Sequence, residues 1–364
     1  MKQYRDEKID ILKGIGIIFI VLGHTSFPFS RFLYLFHISI FIMASGYFWN
    51  DKKINSSTDL KKYIFSRIKK LYIPYIICNT FCVILNNILI NINIFNTVNH
   101  DYFNFKTFTF EIIKTLLFNN DTELFGATWF LRLLFMINIL FAIIEFTLNY
   151  FHIKNKIKIQ VIISIVFLLF GYYISQNQIN LKLVDSAMFM CYGLFVLSTH
   201  LKELKIEKLN NFLILTLSFL GLIILNKYGR VEMSMDIYTN ILYFVTVSIL
   251  GWLFTYSLSH YLSKIKYLKN ILKYIGENSI YILIYHFISF KIINIILVVL
   301  LRDNITLISA FPTLYKDNFY WIIYTVFGII FSIIIGQMFK GIKIKIKEIG
   351  GHIFDKIRCS YSNL

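Results

Sequence analysis

Long apolar runs separated by short charged segments set the pattern of this chain. Residues 9–28, 33–50, 71–92, 127–148, 159–176, 185–199, 210–226, 236–260, 276–301 and 319–339 are each predominantly apolar. A helix that crosses a bilayer needs about 20 such residues. The pattern therefore predicts an all-α, polytopic integral membrane protein of about ten transmembrane helices, with the sixth and seventh runs the shortest. The chain has only 3 Pro, so most spans are expected to run unbroken.

The segments between the runs differ from one another. Segment 51–70, DKKINSSTDLKKYIFSRIKK, is basic with some apolar periodicity and reads as an interfacial helix. Segment 93–126 is longer and aromatic, and its TFTFEIIKTLLFNN stretch predicts an amphipathic helix over one face. The end of the chain, GIKIKIKEIGGHIFDKIR, alternates Lys with Ile and reads as an interfacial anchor. The division expected is a membrane domain over 1–340 and a basic cytoplasmic tail over 341–364.

Composition supports the membrane reading. Hydrophobic residues make up 57% and charged residues 16%, with a mean hydropathy of +0.64. Soluble domains carry about 25% charged residues. A net charge of +17 would suit a nucleic-acid binder, but its distribution argues otherwise. Of 37 Lys and Arg, 26 fall in segments 1–8, 51–70, 149–158, 200–209, 261–275 and 340–364, and eight fall in the segments between them. Cytoplasmic loops carry such a surplus, so both termini are expected in the cytoplasm. The charge then reports orientation in a lipid bilayer, and no nucleic-acid partner is expected. The four Cys read as packing residues, and no metal-ligand spacing appears.

Several polar side chains interrupt the apolar runs, where they are costly and usually face protein or a water-filled cavity. On a helix of 100° per residue, Asp10, Lys13, Ile17 and His24 fall on one face. Lys13 and His24 are about 16 Å apart along that helix, near opposite ends. Gly14 and Gly16 thin the helix beside Lys13 and admit another helix or a ligand. One reading has Lys13 snorkelling and paired with Asp10, and His24 bonded to a neighbouring carbonyl. The other makes His24 a proton-transfer group, since imidazole titrates near neutral pH.

The short link from 25 to 32 makes spans one and two a hairpin, which brings His24 and His37 to one level with Arg31 in the turn. His37 reads either as an interfacial residue or as part of a ligand site. In the fourth span Trp129 and Arg132 share a face; Trp129 suits an aromatic belt, while Arg132 either snorkels or holds an anionic group. In the ninth span Asn278, Ser279, Ile282, Tyr285 and His286 form one stripe, which serves either an interhelical hydrogen-bond network or a tunnel wall. Paired intramembrane carboxylates are missing from the pattern, which disfavours a proton pump.

RDEKIDILKGIGIIFIVLGH resembles the first span of the acyltransferase-3 family of integral membrane O-acyltransferases, whose motif is a basic residue and, after ten positions, His. Here these are Lys13 and His24. FHISIFIMASGYFW, TWFLRLLF and IGENSIYILIYHF resemble later signatures, and the likeness looks closest to the short, fucose-4-O-acetylase-like branch. The resemblance implies a multi-pass enzyme of the plasma (inner) membrane. It would move an acyl group, usually acetyl, from cytoplasmic acetyl-CoA to a hydroxyl of a cell-surface polysaccharide or its lipid-linked saccharide precursor. On that reading His24 is the general base. Lys13, with Asp10 beside it, serves the CoA phosphates. Arg31, His37, Trp129, Arg132, Tyr285 and His286 serve the acceptor and tunnel, and no metal is needed. A transporter or flippase for a lipid-linked saccharide is the rival from another class. It calls for broken helices around a midplane site, which so few Pro disfavour.

Overall fold

The computed structural model describes residues 7–49, 54–181, 184–201, 212–317 and 319–361. The charged start 1–6 and most of the basic segment 200–209 lie outside the described residues. The helices are α1 (Glu7–Gly23), α2 (Ser30–Tyr34), α3 (His37–Tyr47), α4 (Ser57–Asn91) and α5 (Phe105–Leu116). After a 3₁₀ segment (Glu123–Thr128) come α6 (Trp129–Tyr150), α7 (Lys156–Gln176), α8 (Ser186–Thr199) and α9 (Phe212–Leu225). The chain closes with α10 (Ile241–Leu262), α11 (Lys266–Glu277), α12 (Ser279–Leu301) and α13 (Tyr320–Tyr361). Strand pairing among the described residues is confined to a two-residue hairpin, β1 (Val231–Glu232) with β2 (Ile237–Tyr238).

Each predicted span has a helical counterpart among the described residues. Among the described residues six helices are long and apolar enough to cross a membrane: Ser57–Asn91, Glu123–Tyr150, Lys156–Gln176, Ile241–Leu262, Ser279–Leu301 and Tyr320–Gly341. The second predicted span, 33–50, is not one helix. It breaks at Leu35–Phe36, where Phe36 has φ −146°. The 11-residue α3 that follows is only about 16 Å long at 1.5 Å per residue. His37 sits at the break, and its Nδ1 donates to the Leu33 carbonyl at 2.7 Å, a carbonyl near the end of α2.

Segment 51–70 also departs from expectation. Its helical part belongs to α4 and runs on into the membrane-length stretch instead of forming a separate interfacial helix. Ser56 caps it, accepting from the Asp59 N–H at 3.2 Å. The helix widens to a π turn over Ile68–Tyr72, just before Pro74. Proline brings no N–H and its ring crowds the carbonyl four residues back, here that of Lys70, so the turn loosens there. The amphipathic helix predicted over TFTFEIIKTLLFNN is α5, which begins at Phe105 and ends at Leu116. The tail continues α13 as far as Tyr361.

α1 sits at the centre. Its apolar residues lie on all sides, and it packs against α3, α10, α11, α12 and α13. Its contact with α11 is backbone to backbone. A Cβ on Gly276 would lie 1.8 Å from the Asp10 carbonyl oxygen, and one on Gly14 would lie 2.1 Å from that of Leu272. Gly16 faces the Phe41 and Ile40 side chains of α3. Close approach of other helices thus explains both glycines beside Lys13.

Candidate active site

Two cavities lie end to end along α1. The larger, about 380 Å³, is lined by Lys13 and Ile17 of α1, Phe48 after α3, and Tyr63, Arg67 and Lys70 of α4, with apolar residues of α6 and α12. Three of its described lining residues are cations and none is a carboxylate. A concave surface of one sign concentrates anions. The π turn contributes Lys70 and Leu71 to this wall.

Two of the cations rest on aromatic faces. Lys13 Nζ lies 4.6 Å from the centre of the Phe48 ring, and the Arg67 guanidinium lies 4.6 Å from that of Tyr63. Tyr63 is anchored in turn, its hydroxyl donating to Asn138 Oδ1 at 2.7 Å while Asn138 Nδ2 donates to the Leu134 carbonyl at 2.7 Å. Arg67 Nε is buried and has no hydrogen-bond partner among the described residues. A buried donor left in that state is rare. A ligand oxygen in the cavity would satisfy it.

The smaller cavity, about 20 Å³, is lined by His24, Tyr34, His37, Trp129, Met233 and Ser234, among others. It is the chamber at the other end of α1. His24 is half-buried in its wall. The His24 ring stacks against that of His286, with centres 5.3 Å apart and planes 25° apart, and meets Phe287 edge-on at 4.8 Å. Tyr34 approaches edge-on from the other side, with its hydroxyl 3.4 Å from His24 Nδ1.

The other two imidazoles are tied to backbone. His37 Nδ1 donates to Leu33, and His286 Nδ1 donates to the carbonyls of Ile282 and Leu283 at 2.9 and 3.0 Å. Those bonds fix both rings as Nδ1–H tautomers with a lone pair on Nε2. His286 Nε2 is buried without a hydrogen-bond partner among the described residues. His24 differs, since its Nδ1 meets a hydroxyl, which accepts or donates. When Nδ1–H donates to Tyr34, Nε2 carries the lone pair that a general base needs.

Ile20, Phe130 and Leu283 line both cavities, so they form the wall between them. The arrangement is a wide basic compartment, an apolar neck and a narrow imidazole compartment. It suits a long anionic molecule that anchors its charge at one end and presents a small reactive group at the other.

A family model described as an acyltransferase domain matches residues 6–337. The chain belongs to the acyltransferase-3 family. With its long apolar helices, this makes it a multi-pass membrane protein of a family that transfers acyl groups. No curated protein and no solved structure matches the chain.

Within this acyltransferase fold, Lys13, His24, His37 and Trp129 are brought to the two cavities, and His286 backs His24. The other candidates lie elsewhere. Asp10 is buried where α1 meets α11 and lines neither cavity. Arg31 is exposed, donating to the Gly229 carbonyl at 3.3 Å. Arg132 is held by Asp185 at 2.8 Å, Asp121 at 3.3 Å and the Phe118 carbonyl at 3.3 Å. Tyr285 stacks on Phe339 at 5.7 Å.

Sequence reasoning missed Arg67, Lys70, Tyr63 and Tyr34. For Lys70 a signal existed in Pro74, four residues on, which marks a helix irregularity within a basic segment. For Tyr34 the signal was its i,i+3 spacing to His37, which sets a polar tip beside an imidazole.

Proposed function

We propose that this protein is an O-acyltransferase that moves an acetyl group from cytoplasmic acetyl-CoA to a hydroxyl of a cell-surface polysaccharide or its lipid-linked precursor. The observation that carries the reading is the pair of cavities on one helix, cationic at Lys13 and imidazole-lined at His24, sharing a single wall. Lys13, Arg67 and Lys70 hold the 3′-phosphate and pyrophosphate of CoA. The extended pantetheine arm then runs beside α1 over the ~16 Å between Lys13 and His24. The surplus of Lys and Arg in alternate segments favours a cytoplasmic basic end, with the acceptor entering from the opposite side of the plasma membrane.

In the reaction the acceptor hydroxyl attacks the thioester carbonyl, and its proton passes to His24 Nε2. A C–O bond forms, the C–S bond breaks, and the leaving thiolate takes the proton from the imidazolium to give free CoA. Tyr34 positions His24 through Nδ1. His37 and Trp129 shape the acceptor side of the chamber.

Mass analysis of cell-surface glycans with and without the protein tests the reading, and a shift of one acetyl unit is expected. His24→Ala should lower transfer about 10²- to 10⁴-fold, the usual share of a general base, with the protein still present in the membrane. Undiminished acetylation by that variant would refute the assignment.

A further inference from the structure

We propose that Ile20, Phe130 and Leu283 select the donor by acyl length, admitting a two-carbon acyl group to His24 and refusing longer or carboxylated ones. The inference rests on the acyl-CoA reading above and adds the residues that set donor specificity. The three side chains come from three helices, α1, α6 and α12, and are 1%, 2% and 5% exposed. Each is tied to the site it guards. Ile20 stands one turn before His24, the residue that follows α1. The Leu283 carbonyl holds His286 Nδ1 at 3.0 Å, and the Phe130 ring packs edge-on against Phe41 at 6.0 Å. The pantetheine arm has to part these side chains to bring the acyl group to His24.

Space beyond the wall sets the limit. The imidazole compartment is about 20 Å³ against about 380 Å³ on the basic side. A water needs roughly 10–15 Å³ measured this way, so the compartment takes one or two small groups. Attack requires the thioester carbon beside His24, with the acceptor oxygen in the same space. The reacting thioester and the acceptor oxygen already exceed that room, so the packed side chains must yield even to an acetyl group, and a methyl behind the carbonyl asks the least of them. Each further methylene has to displace a packed side chain, which well-packed interiors resist. Charge adds a second restriction. Among its described lining residues the compartment has no Lys or Arg, so a terminal carboxylate, as in succinyl, meets no fixed cation there. The transfer itself is unchanged: the acyl carbon exchanges sulfur for the acceptor oxygen, and the hydroxyl proton reaches the thiolate through His24.

Inverted membrane vesicles from cells expressing the protein, which contain the native acceptor, test this. Acetyl-, butyryl- and succinyl-CoA are added separately, and free thiol release is measured against a His24→Ala control. Wild type should consume acetyl-CoA at least about tenfold faster than either other donor. Leu283→Ala and Ile20→Ala should raise the butyryl-to-acetyl ratio by a similar factor, with succinyl-CoA still refused. Leu283→Val and Ile20→Val should shift the ratio less in the same direction, which keeps the question answerable if the alanine variants fail to fold. Equal His24-dependent release from acetyl- and butyryl-CoA by wild type, or ratios unmoved by all four variants, overturns the selector alone. Absence of His24-dependent release from every donor overturns the acyl-CoA reading and the selector with it.

Discussion

Arg132 and Lys291 lie enclosed by protein, whereas Lys13, Arg67 and Lys70 line a cavity. Lys291 Nζ donates to the carbonyls of Ile94, Ile308, Ser309 and Ala310 at 2.8–3.2 Å and lies 3.3 Å from Glu123 Oε1. Glu123 is also 3.0 Å from His100. Arg132 has two carboxylates and a carbonyl. These two cations knot loops onto helices: Lys291 joins α12 to the loops after α4 and α12, and Arg132 joins α6 to the loops before the 3₁₀ segment and before α8. In the cavity Lys13 and Arg67 lie over aromatic rings, and the space before them has room for phosphate oxygens. A charge away from bulk water must be matched by something. In one region the fold supplies the match, and in the other the proposed donor's phosphates would add to it.

The largest expected effect breaks the first region. Lys291→Met removes the donor from four carbonyls and leaves Glu123 facing them, which should destabilise the protein by about 3–5 kcal/mol. A thermal melt in detergent reads this. The same change at Lys70, which is exposed at the cavity wall, should cost less than about 1 kcal/mol. Equal losses at the two positions would erase the distinction drawn between them.

Next comes pH dependence in the Arg132 knot. Burial pushes the Asp121 carboxyl up to about 6 from an ordinary 3.8, against the pull of Arg132, with Asp185 adding to the rise. The folded state therefore favours the protonated form. Its contribution to stability is full below pH 3.8 and is lost as pH rises through about 6. The span is on the order of 3 kcal/mol. Asp121→Asn should remove this component, so its melting temperature should fall less than that of wild type between pH 4 and 6.5. A slope unchanged by the substitution would mean that the carboxyl does not titrate in that window.

A smaller effect belongs to the cavity. Arg67→Met and Lys70→Met should each raise the KM for acetyl-CoA by about tenfold, close to 1.4 kcal/mol, with kcat largely kept. An equal fall in kcat would instead place these side chains at the reacting atoms.

How much of this was legible in the sequence follows from where the information lies. The face shared by Lys13, Ile17 and His24 is local geometry, and so is the level shared by His24 and His37 across a short turn. Asp185, which holds Arg132, is 53 residues away, and the carbonyls around Lys291 belong to backbone that no side-chain pattern marks. For that reason Arg132 read as a ligand candidate. The break before α3 was hidden because FLYLFHISIFIMASGYFW is predominantly apolar, and the hydrogen bond from His37 to the Leu33 carbonyl that accompanies it follows from the folded geometry. The π turn that brings Lys70 to the cavity was marked only by Pro74.

The smallest effect tests how firmly the cavity-bearing helix is docked. Glu7 opens α1 and lies 2.6 Å from both Lys269 and Lys273 on α11, whose hydrogen bonds pull its carboxyl down to about 2 from 4.5. The sign is opposite to that of Asp121. The stabilisation is present above pH 4.5 and disappears as pH falls through 2. The carboxylate is open to solvent, so water and salt screen the pair and the effect is slight. The backbone contact at Gly14 and Gly276 carries the docking instead. Glu7→Gln should therefore barely move the melting temperature at pH 7 in 0.15 M salt, while Gly276→Val, which has no room for its side chain, should lower it markedly. If the glutamine variant proved the more damaging, charge rather than close approach would be what seats α1, and the cavity at Lys13 would depend on ionic strength.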